Sequence, residues 1–480
     1  MFNYPRTNFH ELNLDWILSE LKKQSGECVF TKPEDFTDSE NPVQDCLNFA
    51  ADNNKIVLLS GMYDIYETLE PAEGCVIYGI NGATLISHAQ DVPGFAPVTL
   101  LKAPSNFYIE SVNFDGNRPD GASQSLIPAD LNPGETLTMA PLVFVDGVFN
   151  VNFVNCQFYG YDCNRSTSYP SYNYSALGCV GAEFVSLIRC VFYNCWREIS
   201  NFNNCNNVNI IDCIYNSSGG AYEDDNNIWH NLSYTEIGLL ETNHVNIRNC
   251  YISKDENNTT SVINAMGTDI TINDCDIYAP SSTYGIDYGN EIGNNFTFEN
   301  LIISFNRMNC RIGAANTYNV QHDNVVITDN IINTTGLKHL SGAIMIDGNN
   351  GEMFNIENNV FKGTLVTPTT SCIRLTKDAV VKVNISENIF SGRAIYISED
   401  IPDLTIKNNL FYDDVIYQSN GNATPQTIVI IGSRCERAGR FGAVAAGSDI
   451  TVVLVGCDFR RDILTNATAV DSTLSYIRGV

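Results

Sequence analysis

The 480-residue chain has few basic residues, few histidines and no long apolar run. It carries 27 Lys and Arg against 55 Asp and Glu, for a net charge of −28. This excess of acid argues against binding to nucleic acids or anionic membranes, because both require a basic surface. No run approaches about 18 apolar residues, and the N-terminus lacks a basic segment followed by an apolar one. We therefore expect no membrane insertion, no secretory signal and folding in a cytoplasm.

Metal-binding and catalytic motifs are also missing. The 16 cysteines include no Cys-x-x-Cys motif, and with only six histidines a zinc site is not expected. The sequence contains no Gly-His-Gly, no Arg-x-Lys pair, no Gly-rich phosphate loop and no cluster of aspartates suited to Ca²⁺. It therefore predicts neither a metal nor a cofactor, and the cysteines are expected to be reduced residues of a packed core.

A short pattern recurs along the chain, and residues 245–252 show it clearly. If Cys250 is position zero, apolar residues lie at −5, −3 and +2, and a residue that tolerates tight bends lies at −1. Alternating apolar positions indicate strands with one buried face, and Asn, Asp or Gly at −1 indicates a one-residue bend between two strands. The positions zero are Val112, Cys156, Cys190, Cys213, Cys250, Cys275, Leu301, Asn330, Asn359, Asn388, Asn409 and Cys457.

A repeat of a few tens of residues is typical of a solenoid, and one built from short strands is a single-stranded parallel β-helix of the all-β class. Position zero would then form an inward column of cysteines, followed by asparagines from Asn330 to Asn409. Stacked amides can hydrogen-bond from coil to coil, which makes an inward polar residue tolerable. The longer intervals between repeats predict loop insertions near residues 117–140, 161–179, 217–236 and 415–445.

Residues 1–26 predict an α-helix that precedes the solenoid. Asn8 and Glu11 have the spacing of a capping box. Phe9, Leu12 and Trp16 mark one apolar face, whereas Leu14, Ile17, Leu18 and Leu21 mark another. A helix that is apolar on two sides must be buried, either as a cap over the end of the solenoid or as a docking or oligomerisation peg.

Two stretches resemble known families. Residues 4–18 resemble an N-terminal segment shared by structural proteins of short-tailed bacteriophages of Gram-positive hosts, where it precedes unrelated fibre, spike or appendage bodies. This resemblance favours the peg, and it implies that Asn8, Phe9, Leu12, Leu14, Trp16 and Ile17 attach the chain to a capsid or tail protein.

Residues 34–36, 45–51, 57–65 and 76–84 are similar to the opening of phage tailspikes of the pectate-lyase superfamily. They imply a right-handed β-helix body at 55–480 after a linker and capping helix at 27–54, in most such proteins as a homotrimer.

The insertion at 217–236 is the most acidic. Asp224 and Asp225 lie within it, and Glu241 follows on the next coil segment. Glycosidic cleavage requires two carboxylates about 5 to 9 Å apart, although a solvated acidic loop explains the same residues. Trp229 and His230 are candidate ligand-binding residues, because a sugar face stacks on an aromatic ring.

A second aromatic cluster lies in the insertion at 161–179. Tyr169, Tyr172 and Tyr174 stand among Ser and Asn, a composition that combines rigid aromatic contacts with adaptable hydrogen bonding. Receptor contact and simple packing of the loop both remain open for these tyrosines.

These observations favour a virion structural protein, a tail spike, fibre or appendage, that assembles in the host cytoplasm and acts outside the bacterial cell. It would attach by residues 1–26 and present its β-helix to a glycan of the host surface. One alternative is a polysaccharide-degrading hydrolase or lyase on the same fold, and another is a head decoration protein without a receptor. Adhesion without catalysis is favoured, because the motifs of the superfamily's enzymes are absent.

Overall fold

The structure is a computed structural model. It describes residues 30–88, 99–117, 141–160, 175–193, 195, 199–217, 221–223, 229–231, 235–254, 260–282, 285–288, 297–313, 321–337, 342–346, 351–363, 371–375, 380–397, 403–412, 415–418, 426–436, 441–444, 450–459, 469–471 and 476–477. The predicted helix and attachment residues within 1–26 lie outside the described residues.

One α-helix, α1 (Pro42–Asp52), and a short 3₁₀ helix (Pro33–Asp35) lie between the first and second solenoid strands, Phe30–Thr31 and Ile56–Ile65, in the described part of the chain. The side chain of Asn41 caps α1 by accepting a hydrogen bond from the Gln44 N–H at 3.2 Å. Val43, Cys46, Leu47 and Ala50 form the buried face of α1 and belong to the same core as the strands. The helix therefore lies within the segment 27–54, where the sequence predicted a capping helix.

The remaining described elements are strands, and each coil contributes them to three faces. We call the strands before the bend the long face and those after it the short face; together they form one 32-stranded sheet. The third face is a 13-stranded sheet. The neighbours in both sheets pair in parallel, so the predicted parallel β-helix is confirmed.

The bounds of the strands follow. The long face comprises Phe30–Thr31, Ile56–Ile65, Val76–Ser87, Phe107–Glu110, Phe149–Val154, Glu183–Ile188, Asn206–Ile211, Asn243–Arg248, Ile270–Asn273, Thr297–Phe298, Leu301–Ser304, Gln321–Thr328, Gly351–Glu357, Val380–Ser386, Asp403–Lys407, Gln426–Ile431, Ile450–Val455 and Ala469–Asp471, of which the second and third continue onto the short face. The short face comprises Asn113–Asp115, Gln157–Tyr159, Val191–Tyr193, Ile214–Ser217, Tyr251–Lys254, Asp276–Tyr278, Arg307–Asn309, Ile331–Asn333, Val360–Lys362, Ile389–Phe390, Leu410–Phe411, Arg434–Cys435, Asp458–Phe459 and Tyr476–Ile477. The third face comprises Leu101–Ala103, Val143–Asp146, Leu177–Val180, Ser200–Asn203, Ile237–Leu240, Ile263–Met266, Ile286–Asp287, Ile312–Gly313, Ile344–Ile346, Ile373–Leu375, Ile395–Ile397, Ile416–Gln418 and Phe441–Val444.

The bend predicted at −1 is present. Every residue that the pattern placed there, from Ser111 to Gly456, has a positive φ between 50° and 62°. One position zero was nevertheless wrong, because Leu301 begins a long-face strand and Asn306, after the bend at Phe305, occupies the column. The wrong frame arose because Phe296, Phe298 and Ile303 imitate the apolar positions around Leu301.

The interval 415–445 is a further correction. It was predicted to be a loop insertion, but strands Ile416–Gln418, Gln426–Ile431, Arg434–Cys435 and Phe441–Val444 belong to the solenoid faces. Ser433 is the missed position zero, and Gly432 forms its bend with a φ of 58°. By contrast, the interval 217–236 holds a two-stranded antiparallel sheet, Ala221–Glu223 with Trp229–Asn231, outside the three faces.

The inward column at position zero changes from thiols to amides. The register of Val191, Ile214, Tyr251 and Asp276 on neighbouring strands places the preceding cysteines in one file, as predicted. Every cysteine that the structure describes is buried and free of disulfides. The thiols at position zero donate to the carbonyl oxygen three residues before position zero of the preceding coil, as the Cys213 Sγ does to the Leu187 oxygen at 3.4 Å.

We call Asn306, Asn330, Asn359, Asn388 and Asn409 the Asn ladder. Each Nδ2 donates to the equivalent carbonyl of the preceding coil, at distances of 2.8 to 2.9 Å. Each Oδ1 accepts from the backbone N–H at position zero of the preceding coil, at 2.9 to 3.0 Å. The polar column is thus satisfied by hydrogen bonds although its members are fully buried or nearly so.

Candidate functional site

Most of the residues that the sequence singled out for chemistry lie outside the described residues. This applies to Asp224, Asp225, Tyr169, Tyr172 and Tyr174. The backbones of Trp229 and His230 pair with those of Glu223 and Tyr222 in the antiparallel sheet, which places both on the hairpin of the acidic insertion.

Glu241 is described, and its position has a structural explanation. It is an exposed turn residue between the third face and the long face, with a φ of 50°. The corresponding turns of the preceding coils hold Gly147, Gly181 and Asn204, all with positive φ. Glu241 therefore occupies a column in which the backbone favours Gly or Asn.

A surface groove of about 500 Å³ crosses five neighbouring strands of the short face. We call it the short-face groove. It is lined by Tyr251, Asp276, Ile277, Tyr278, Arg307, Met308, Asn309, Ile331, Asn333 and Lys362. Sequence reasoning named none of these residues as a site, because they come from separate coils.

The groove follows from the alternation of side chains along each strand. Ile277 and Met308 point inward and are buried, whereas the residues directly before and after each of them point outward. Tyr278 is 39% exposed although it is a large aromatic residue. The groove therefore presents an aromatic ring beside amide and charged groups, which is the mixture that binds a ligand with both apolar and hydroxylated surfaces.

Asn309 supplies a fixed polar group. Its Nδ2 donates to the backbone oxygens of Asn333 at 3.2 Å and Thr335 at 3.0 Å, across the neighbouring turn. Its Oδ1 is buried and has no hydrogen-bond partner among the described residues. Asn309 therefore fixes the turn beside the groove through its Nδ2.

The centre of the groove is the strand that breaks the repeat. Phe305 forms the bend before it, with a φ of 58° and 60% of its surface exposed. A positive φ is strained for a bulky residue, and the equivalent bends hold Ser, Asn, Asp, Arg, Glu or Gly. Phe305, Arg307 and Asn309 thus form one outward row. An exposed and strained aromatic residue in that row marks this coil as a functional candidate.

Neither a metal site nor a membrane-spanning helix is found within the described ranges. No group of three or more His, Cys, Asp or Glu side chains there is positioned to hold a metal ion. No described helix is long and apolar enough to cross a bilayer.

Comparisons with known proteins find distant structural similarities and no sequence match. No protein-family model matches the sequence, and no curated protein matches it. The surface adhesin PfbA of Streptococcus pneumoniae is similar in structure, with a TM-score of 0.36, 12% identity and coverage of 89% of this chain and 90% of that one. The tailspike protein of E. coli bacteriophage HK620 in complex with a pentasaccharide has a TM-score of 0.45, 11% identity and coverage of 90% and 74%. The catalytic domain of Agl-KA has a TM-score of 0.41, 11% identity and coverage of 94% and 68%.

Proposed function

We propose that this protein is a glycan-binding adsorption protein whose short-face groove holds an extended carbohydrate chain. The observation that carries the proposal is the outward row Phe305, Arg307 and Asn309. In this row Phe305 replaces the usual small or polar bend residue, and its ring is exposed beside the groove. Aromatic rings, an oriented amide and charged groups spread over five strands suit a long polymer better than a compact molecule.

The attachment role completes the proposal. Residues 1–26 bind a phage capsid or tail protein, and the β-helix projects toward the bacterial surface as a homotrimer. The resemblance of residues 4–18 supports attachment, and the exposed rings of Phe149 and Phe184 at one edge of the long face would be covered by self-association. Deletion of residues 1–26 should leave a folded protein that no longer enters virions, and incorporation at normal copy number would contradict the attachment role. Light scattering of the purified chain tests the trimer.

Direct binding tests the groove. Polysaccharide from the host surface is titrated against the wild type, Tyr278→Ala and Phe305→Asn, with Thr405→Ala on the outer side of the long face as a matched control. We expect both groove variants to bind at least about tenfold more weakly, since loss of an aromatic contact removes on the order of 1–3 kcal/mol. Phe305→Asn should also raise the melting temperature, because Asn tolerates the positive φ. If both groove variants bind as tightly as Thr405→Ala, the groove is not the glycan site.

Polysaccharide cleavage is the second candidate function, and the carboxylates Asp224, Asp225 and Glu241 support it. Incubation with host capsule or wall polysaccharide should then release new reducing ends or unsaturated uronates. Loss of release in Asp224→Asn, Asp225→Asn or Glu241→Gln would establish catalysis, whereas binding without release establishes adhesion alone. A decoration protein without a receptor would show neither, and deletion of the loops within 117–236 would leave adsorption unchanged.

A further inference from the structure

The charge of the short-face groove is opposite to that of the whole chain. The protein has a net charge of −28. Among the groove residues, however, Arg307 and Lys362 are basic and Asp276 alone is acidic. From this reversal, and resting on the proposed glycan-binding function, we infer that the groove binds a polysaccharide that carries anionic groups, either carboxylates or phosphodiesters.

Arg307 differs from the other arginines whose contacts the structure describes. Those side chains have partners within the chain: Arg189 with Asn155, Arg248 with Asp274, Arg311 with the Gly342 oxygen, Arg374 with the Tyr396 ring, and Arg434 with Glu436. Arg307 lies directly opposite Asp276 in the sheet register, yet no ion pair within 4.0 Å joins them, and no other described residue pairs with its guanidinium. Its five donors remain available to a ligand.

Lys362 lies two strands farther along the same groove. It pairs in register with Asn333, on the strand that follows Arg307, and its ammonium group has no partner in the described ranges. Two strands correspond to about 10 Å along the rod at the usual strand spacing. Arg307 and Lys362 can therefore contact two anionic groups of one extended polymer, with Asn333 on the strand between them and Tyr278 on the strand before Arg307.

Substitution of Asp276 should change the affinity for an anionic polymer in the opposite direction to substitution of Arg307 or Lys362. The carboxylate of Asp276 is exposed next to Arg307, so it repels an anion that approaches the guanidinium. Asp276→Asn should tighten binding of an anionic polymer, while removal of either cation should weaken it. Because all three side chains are exposed, these substitutions leave the core unchanged, and unchanged melting temperatures verify this.

The experiment compares three probes on the full chain. Polygalacturonate supplies carboxylates, poly(glycerol phosphate) supplies phosphodiesters and dextran is neutral. Each is titrated against the wild type, Arg307→Gln/Lys362→Gln, Asp276→Asn and the control Thr405→Ala. We expect one or both anionic probes to bind, with affinity lowered at least about tenfold in the double variant and raised about twofold or more in Asp276→Asn. Which anionic probe responds identifies the source of the charge.

The outcomes separate this inference from the proposed function. Binding of dextran alone, or anionic binding that is the same in the double variant and Thr405→Ala, overturns the anionic inference and leaves glycan binding intact. If neither these probes nor host surface polysaccharide binds to the wild type, the glycan-binding function itself fails.

Discussion

The Asn ladder allows a quantitative prediction for the variant Asn359→Ala. The Oδ1 of Asn359 accepts from the backbone N–H and the Nδ2 of Asn330, both at 3.0 Å. Its Nδ2 donates to the oxygens of Ile327 at 2.8 Å, Glu357 at 3.0 Å and Asn388 Oδ1 at 3.0 Å. Alanine removes all of these bonds from a site that is completely buried.

One of the former partners would be left without a substitute. The Nδ2 of Asn330 keeps its bond to Ile303, and the Oδ1 of Asn388 keeps the backbone N–H of residue 359. The oxygen of Ile327 loses its side-chain donor but still faces the backbone N–H of Glu357 in the parallel register, whereas the backbone N–H of Asn330 loses its acceptor. An unsatisfied buried group costs about 1–3 kcal/mol, so the free energy of unfolding should fall by about 3 kcal/mol once the cavity is included.

The cysteine half of the column supplies a matched variant. In Asn359→Cys the thiol can donate to the Ile327 oxygen, as the Cys213 thiol does to Leu187. It can also accept from the Asn330 N–H, as the Cys275 Sγ accepts from the Cys250 N–H at 3.4 Å. We therefore expect Asn359→Cys to lose about half as much stability as Asn359→Ala, because sulfur bonds are weaker.

Chemical denaturation and hydrogen exchange at the Asn330 amide measure these effects. Exchange is needed because a solenoid can open locally around one coil before it unfolds globally. Asn355→Ala, on the outer side of the strand Gly351–Glu357 in the same coil, is the control and should change stability by less than about 0.5 kcal/mol. If Asn359→Ala and Asn355→Ala unfold alike and exchange alike, the ladder does not stabilise the fold as argued here.

Three further predictions concern other parts of the rod. Phe192 stacks between Phe158 and Tyr215, with its ring centroid 4.6 Å from each of theirs. Phe192→Ala should therefore lower the free energy of unfolding by about 3–5 kcal/mol in denaturant titrations. A loss below about 1 kcal/mol would contradict the role of the stack. Glu241→Gly should raise stability by about 0.5–1 kcal/mol, because glycine relieves the positive φ, and a fall in melting temperature would refute this reading of Glu241. Burial raises the pKa of the Cys46 thiol from 9.0 to about 11, so the folded chain holds this proton more tightly than the unfolded chain does. The stability that this proton contributes is fully present below pH 9 and is lost as the pH rises toward 11. If the denaturation midpoint of the wild type falls no more than that of Cys46→Ala over this range, the effect is excluded.

The repeating part of the fold was predictable from the sequence because each coil shows the same pattern of residues. Apolar alternation, a bend residue and a small or amide side chain at position zero recur locally, and the file of Cys190, Cys213, Cys250 and Cys275 followed from them. The pattern was misread at two coils. Ser433 was passed over as a position zero although Ile428, Ile430, Gly432 and Cys435 fit the pattern around it, whereas Asn306 was passed over because Phe305 does not favour a bend.

The groove could not be predicted in the same way. Its residues extend from Tyr251 to Lys362, and the loops between coils differ in length, so the spacing along the chain does not reveal which outward residues are neighbours. The register between neighbouring strands determines which outward residues are adjacent. Because position zero was placed at Leu301, the residues of this coil were assigned to the wrong positions relative to the neighbouring coils. The acidic and tyrosine-rich insertions were visible in the sequence because each is contiguous.

The error at Leu301 is itself informative. A structural repeat selects the same residue type at each equivalent position, so a coil that departs from the repeat keeps a less stable residue for another reason. Phe305 takes a strained backbone conformation and exposes a ring to water, and neither property stabilises the rod. The same coil carries Arg307, which lines the groove and whose guanidinium has no partner among the described residues. The strained bend and the unpaired cation both lie on the outward side of this coil, and the proposed ligand would account for both.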